Sequence, residues 1–229
     1  MKHRSRLLAA LAGLCSASLL AGCGGGLFQS HQAAPQVYEL RPPAAGPLAP
    51  RIAATLVVAR PAVRPGLDSD RIAVLLPDRR VDAFAGSRWS APVPVLVQSL
   101  LIEGLRARGG FEAVVAERGA FNGRYLLQSE VREFAAVYAS EGAAPLVRVQ
   151  LHAELGRVAD RRLLVTLDGR GEKAATGNRL RDVLAAFEAA YAEAADAIAA
   201  GTHAAALADG SGDGAQQEPA AAQRPAAGP

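Results

Sequence analysis

Residues 147–155 alternate without a break. Val147, Val149, Leu151, Ala153 and Leu155 fall on one side, and Arg148, Gln150, His152 and Glu154 on the other. Successive side chains of a strand point to opposite faces, so this run is predicted to be a strand with one covered face and one wet face. After Ala159-Asp160 the pattern returns, with Leu163, Val165 and Leu167 on one side and Thr166 and Asp168 on the other. The two runs are predicted to form a hairpin. Tyr125 to Val137 is a third strand of this kind, with Leu127 and Val131 set against Gln128, Glu130 and Arg132.

Shorter strands are predicted upstream. Val37–Leu40 is stopped by Pro42-Pro43, and Ile52–Ala59 by Arg60-Pro61. Arg71–Leu76 and Arg79–Ala85 flank Pro77-Asp78, a dipeptide suited to a turn, and so read as another hairpin. Two stretches carry the helical period instead. One runs from about Pro92 to Ala107, with Val93, Leu96, Val97, Leu100 and Leu105 on one face. Ser90 is its candidate N-cap, and Gly109-Gly110 its stop. The other runs from about Arg179 to Ala200, with Leu180, Val183, Phe187, Tyr191, Ala194 and Ile198 on one stripe, Asn178 as candidate cap and Gly201 as end. The expected class is α+β: a mainly antiparallel sheet with two amphipathic helices packed on one face.

The front of the chain reads as a targeting segment. Lys2, Arg4 and Arg6 precede an apolar body from Leu7 to Ala21, too short to span a bilayer comfortably. The four residues Leu20-Ala21-Gly22-Cys23 resemble a bacterial lipobox, which implies that Cys23 is the lipidated residue. The expected organisation is a signal peptide at 1–22, a lipidated cysteine and tether at 23–36, a folded domain at 37–200 and a disordered tail at 201–229. The tail is low in bulky apolar residues and rich in Ala, Gly, Pro and Gln, a composition that ordinarily leaves ordering entropy unopposed.

Composition removes several function classes. The formal net charge is +3. The three basic residues of the signal account for all of it, so the remaining chain balances and has no charge excess to steer it to nucleic acid. The two cysteines are Cys15, inside the signal body, and Cys23. Neither a structural disulfide nor a Cys-His zinc site is expected. No cofactor and no metal are expected.

No catalytic motif stands out. The sequence holds no Gly-x-Ser-x-Gly elbow, P-loop or His-Glu-x-x-His. Gly24-Gly25-Gly26 precedes any strand and belongs to the tether. His3, His31, His152 and His203 lie in the signal, the tether, the wet face of a strand and the tail, and each reads as a solvated residue. Asp68 and Asp70 suit a turn, and Ser99 and Ser129 sit inside regular elements without a nearby base. Arg88-Trp89 stands apart, because it contains the single Trp, just before the first helix. Trp89 reads either as a core anchor or, with Arg88, as a partner contact.

Several of these features together resemble a known family. Tyr38-Glu39-Leu40-Arg41-Pro42 follows the lipobox cysteine and tether. Leu56-Val57-Val58 comes next, then Arg64-Pro65-Gly66-Leu67-Asp68 running into Arg71-Ile72-Ala73-Val74. Arg88-Trp89-Ser90-Ala91-Pro92 leads the first helix. This ordered set, over residues 19–200, is similar to the ABC-type transport auxiliary lipoproteins, the PqiC-like family. The resemblance implies a non-catalytic lipoprotein of the Gram-negative envelope. Its implied partners are an MCE-domain protein and ABC transporter components, with lipid as the cargo, and a homo-oligomer capping a symmetric tube is compatible with it. Gly24 after the lipid cysteine implies the outer membrane, with the body in the periplasm. An envelope-assembly or secretion-accessory lipoprotein and a lipid-anchored enzyme are the alternatives.

Overall fold

The computed structural model describes residues 34–41, 45–117 and 123–216, with side chains described as far as Ser211. The expected signal segment, Cys23 and residues 217–229 lie outside them. The described chain runs β1 (Gln36–Tyr38), β2 (Ile52–Val58), β3 (Ala62–Val63), β4 (Arg71–Leu75), β5 (Val81–Trp89), α1 (Val93–Ala107), β6 (Phe111–Ala116), β7 (Tyr125–Val137), β8 (Leu146–Arg157), β9 (Arg162–Ala174) and α2 (Leu180–Gln216).

β7 is the spine. One of its edges pairs antiparallel with β8 from end to end, and β8 pairs antiparallel with β9. Its other edge is shared by three strands in turn, all parallel to it: β2 at Tyr125–Leu127, β3 at Glu130–Val131 and β4 at Ala136–Val137. β6 continues the sheet beyond β2, and β5 then β1 continue it beyond β4. Five of these eight pairings are parallel, so the nine-stranded sheet is mixed and the expectation of a mainly antiparallel one is corrected. The expected hairpins, β4–β5 and β8–β9, are both present. What alternation could not convey is the direction from which β2, β3 and β4 reach β7, because parallel partners are joined by long crossovers rather than local turns.

α1 buries Val93, Leu96, Val97, Leu100, Leu101 and Leu105. Two side chains fasten it to the sheet: Gln98 Nε2 donates to Val58 O at 3.0 Å, and Arg106 Nε to Val114 O at 2.7 Å. Its N-cap is Pro92 with no side-chain cap, so Ser90 does not serve as the cap. The Ser90 N–H instead donates to Tyr38 O at 2.7 Å, holding β1 against the end of β5. Gly109, at φ 65°, supplies the left-handed residue that ends the helix.

α2 lies close on β8 and β9 because glycine lets it. A Cβ at Gly169 would run into the carbonyl oxygen of Ala194, and one at Gly171 into that of Ala190. Small residues on both surfaces bring helix backbone onto strand backbone. Asn178 was the expected cap of this helix. Its side chain is committed elsewhere, accepting from Tyr138 Oη at 2.6 Å and donating to Gly142 O at 3.3 Å, which ties down the β7–β8 loop.

α2 does not stop at Ala200. It continues to Gln216, so the boundary expected at 200 is corrected for residues 201–216. Gly201 is inside the helix, where a Cβ would strike the Leu167 side chain. Thr202, His203 and Ala206 are buried beyond it. His203, expected to be solvated, is only 5% exposed. Its Nε2 lies 2.9 Å from Pro50 O and its ring stands edge-on to Phe111 at 5.9 Å.

Gly171→Val is expected to destabilise the protein by about 2 kcal/mol or more, as overpacking does. Glu172→Ala, on the exposed side of the same strand, is expected to change stability by less than about 0.5 kcal/mol. Urea denaturation of the two variants checks the difference.

Candidate functional site

The Arg88-Trp89 pair divides at the surface. Trp89 is 1% exposed. Its ring meets Phe187 edge-on at 5.2 Å and Phe134 at 5.9 Å, and those two phenylalanines lie 5.2 Å from each other. Three aromatic rings from β5, β7 and α2 thus join sheet to helix. The Trp89 N–H donates to Asp70 O at 2.7 Å, so the backbone is fixed as well. Trp89 fits the core-anchor reading, and its ring offers no contact surface of its own. Arg88 points the other way. Its side chain is about half exposed, with its guanidinium 3.6 Å from the Asp70 carboxylate.

The uncovered face of β7, β8 and β9 carries a ladder of charge. His152 Nδ1 lies 2.9 Å from Asp168 Oδ1 and its Nε2 lies 4.0 Å from Glu154. Arg132 reaches Glu130 at 3.1 Å and Asp168 at 3.3 Å. The hydrogen bond from His152, with further help from neighbouring arginines, holds the Asp168 carboxyl below the usual carboxylate range. Ser129 is on β7 beside this ladder, yet strand parity places it with the core residues Leu127 and Val131. Its buried Oγ has no hydrogen-bond partner among the described residues. Among the described residues, His152 therefore has a carboxylate to orient it, and the nearby Ser129 hydroxyl is turned away from it. The hydroxyl of Tyr191 is buried without a hydrogen-bond partner among the described residues, and burial pushes it well above the usual tyrosine range, so it stays protonated as a core group. Among the described residues no group of His, Cys, Asp and Glu is placed to hold a metal ion.

The far end of α2 closes a second cluster. Asp209, with its side chain 6% exposed, accepts from Arg157 Nη1 at 3.0 Å and from Tyr125 Oη at 3.1 Å, and lies 3.5 Å from Arg124. Tyr125 Oη also lies 3.2 Å from Ala206 O. These contacts bind the helix end to the start of β7 and the end of β8. Arg157 also grips Asp160 through Nε at 3.0 Å and Nη2 at 2.7 Å, a two-pronged hold that sets the β8–β9 turn. The Asp160 carboxyl is lowered to about 2, first by that hydrogen bonding from Arg157 and then by the Arg162 N–H. Sequence reasoning missed this cluster because it assigned Asp209 to a disordered tail. The signal was there: Thr202, His203, Ala206 and Asp209 continue the helical spacing of Ile198 and Ala199.

Beside the turn an open groove of about 450 Å³ is lined by Leu126, Gln128, Glu154, Val158, Arg161 and Leu163, among others. Strict alternation predicts Leu163 on the covered face with Val165 and Leu167. The structure corrects this. The register shifts between Leu155 and Gly156, so that Leu155 pairs with Val165 while Gly156 pairs with Leu163. The extra residue, Leu164, is a bulge, and bulges re-aim side chains. Leu163 ends up 54% exposed.

Comparison with known proteins bears on both fold and family. The family model for the ABC-type transport auxiliary lipoprotein component matches residues 38–199. Among solved structures, protein XCC0632 from Xanthomonas campestris, assigned to the family DUF330, is similar at 22% identity with a TM-score of 0.69, covering 78% of this chain and 99% of that one. A second crystal structure, of an uncharacterized protein, aligns at 17% identity with a TM-score of 0.57, covering 73% of this chain and 97% of the other. These likenesses show that the fold is shared. No curated protein matches the chain.

Two outcomes are expected. Trp89→Ala should cost about 3–5 kcal/mol, as other large buried aromatics do, read as a lower denaturant midpoint. Asp160, with its folded pKa depressed, contributes stability that is present above the ordinary carboxylate pKa and lost as pH falls toward 2. Carbon-detected NMR titration should find its midpoint near 2, and Arg157→Ala should return it toward the unperturbed value of 3.8.

Proposed function

The chain belongs to the ABC-type transport auxiliary lipoprotein family, and we propose that it acts as an anchored docking module for an intermembrane lipid transporter. In this reading Cys23 carries diacylglycerol and an N-acyl chain, and Gly24 directs the protein to the outer membrane with its body in the periplasm. The body seats an MCE-domain partner that works with ABC transporter components. It does so without chemistry of its own and without a cofactor.

One observation carries the reading: the matched segment begins at Tyr38, shortly after the lipobox-like Leu20-Ala21-Gly22-Cys23. The physics supports it. At about 0.8 kcal/mol per buried CH₂, a single chain binds a membrane marginally and several chains bind it durably. The thirteen residues from Gly24 to Gln36 reach roughly 45 Å when extended, enough to hold a folded body clear of the leaflet. On that body, Arg88 is the proposed partner contact, its charge presented at the surface over the rigid Trp89 anchor.

Mass spectrometry of the mature protein should find the chain beginning at a Cys23 that bears diacylglycerol and an amide-linked acyl group. A bare thiol with residues 1–22 still attached would contradict the anchor. Pull-down with the MCE-domain partner should weaken in Arg88→Glu at unchanged melting temperature. Undiminished capture would remove Arg88 from the contact.

A further inference from the structure

The β8–β9 turn is built to present an unusual combination of side chains. Arg157 and Arg162 pair across the hairpin, leaving Val158, Ala159, Asp160 and Arg161 as the turn. Val158 is 48% exposed and Leu163 is 54% exposed, two of the four large apolar residues exposed among the described residues. The bulge at Leu164 turns Leu163 outward, and Arg161 adopts φ 58° at the corner. The Val158 N–H donates to Arg124 O at 2.9 Å, which fixes the turn to the start of β7.

The charges at this tip are sorted. Asp160 is neutralised by the two-pronged hold of Arg157, and Asp209 is buried between Arg157, Arg124 and Tyr125. Glu154 lies further along the groove. Arg161 and Arg162 are exposed, and among the described residues neither guanidinium has a carboxylate partner. The turn therefore shows two exposed aliphatic side chains, with Arg161 lining the same groove and Arg162 exposed at the base of the turn.

We propose that this tip is a membrane-contact site that inserts Val158 and Leu163 among the headgroups of an anionic lipid surface while Arg161 and Arg162 bind lipid phosphates. Aliphatic groups enter the boundary between headgroup and acyl chain, and arginines lying beside them reach the phosphates above. Each cation near an anionic leaflet adds to the attraction. A four-residue turn with one adjoining leucine is far smaller than the roughly 800 Å² that each side of a stable protein interface buries, whereas a lipid surface needs no matched partner area. The site extends the anchored-lipoprotein reading and does not depend on it. It gives the body its own hold on a leaflet, separate from the acylated cysteine.

The test uses the chain from Gly24 to Pro229, which retains every buried hydrophobic residue among those described, Leu40 to Ala206, and has no acyl chain. Both native cysteines lie before Gly24, so a polarity-sensitive dye can be placed singly at Leu163→Cys or, as a control, at Val81→Cys, another exposed site. The labelled proteins are mixed with vesicles of phosphatidylcholine alone or with phosphatidylglycerol added. The dye at 163 should shift to the blue on the anionic vesicles only, and the dye at 81 should not shift. Arg161→Glu with Arg162→Glu should weaken flotation with those vesicles by roughly tenfold while leaving the far-ultraviolet circular dichroism unchanged. A water-like dye at 163 on anionic vesicles would overturn the proposal. So would an equal response at 81, or binding indifferent to the charge reversal. Because no lipid anchor is present, the result is independent of whether Cys23 is acylated.

Discussion

The close seating of α2 on β8 and β9 is the contact on which the rest of the molecule depends. Gly169 and Gly171 on the strand meet the backbone at Ala194 and Ala190 on the helix. That leaves no room for a side chain, and it lets the larger residues of the helix, Phe187 and Tyr191, reach past the strand into the core. Phe187 there joins Trp89 and Phe134, so the hairpin half of the sheet and the β4–β5 half share one aromatic centre. Tight backbone packing near its middle also aims the helix, and its far end lands on Tyr125, Arg157 and Phe111.

From this seating the division of the surface follows. One face of the sheet is covered by α1 and α2, and the other carries the ladder of Glu130, Arg132, His152 and Asp168. Groups that look reactive in the sequence are separated by strand parity: Ser129 is turned to the core and His152 to solvent. What the structure does assemble is rigid and surface-directed. Arg88 stands over a buried Trp89, and the β8–β9 turn is locked from behind by Arg157. Such presentation suits the docking role proposed for this chain.

Much of this was legible in the sequence, for reasons that can be named. Period-two alternation located β7, β8 and β9, and period 3.6 located both helices, because each pattern records which face is covered. Family membership was legible from the ordered set running from Tyr38-Glu39-Leu40 to Arg88-Trp89. The direction of β2, β3 and β4 along β7 was not, since a buried parallel strand and a buried antiparallel one have the same apolar run. The bulge at Leu164 was hidden because an inserted residue changes facing without changing composition. Residues 201–216 were misread because Ala- and Gly-rich sequence resembles a linker, although alanine is the best helix former. Gly201 read as a stop, yet it sits inside the helix, where it leaves room for the Leu167 side chain. The buried Asp209 is intelligible only once the helix is known to continue.

The central claim is that α2 is a continuous clamp that belongs to the folded core past Gly201, as far as Asp209. Hydrogen exchange of the intact protein, resolved residue by residue, measures this directly. Amides from Thr202 to Asp209 should be protected to a degree comparable with those from Val183 to Ile198. Exchange at unfolded-chain rates beyond Gly201, with the earlier turns protected, would contradict it.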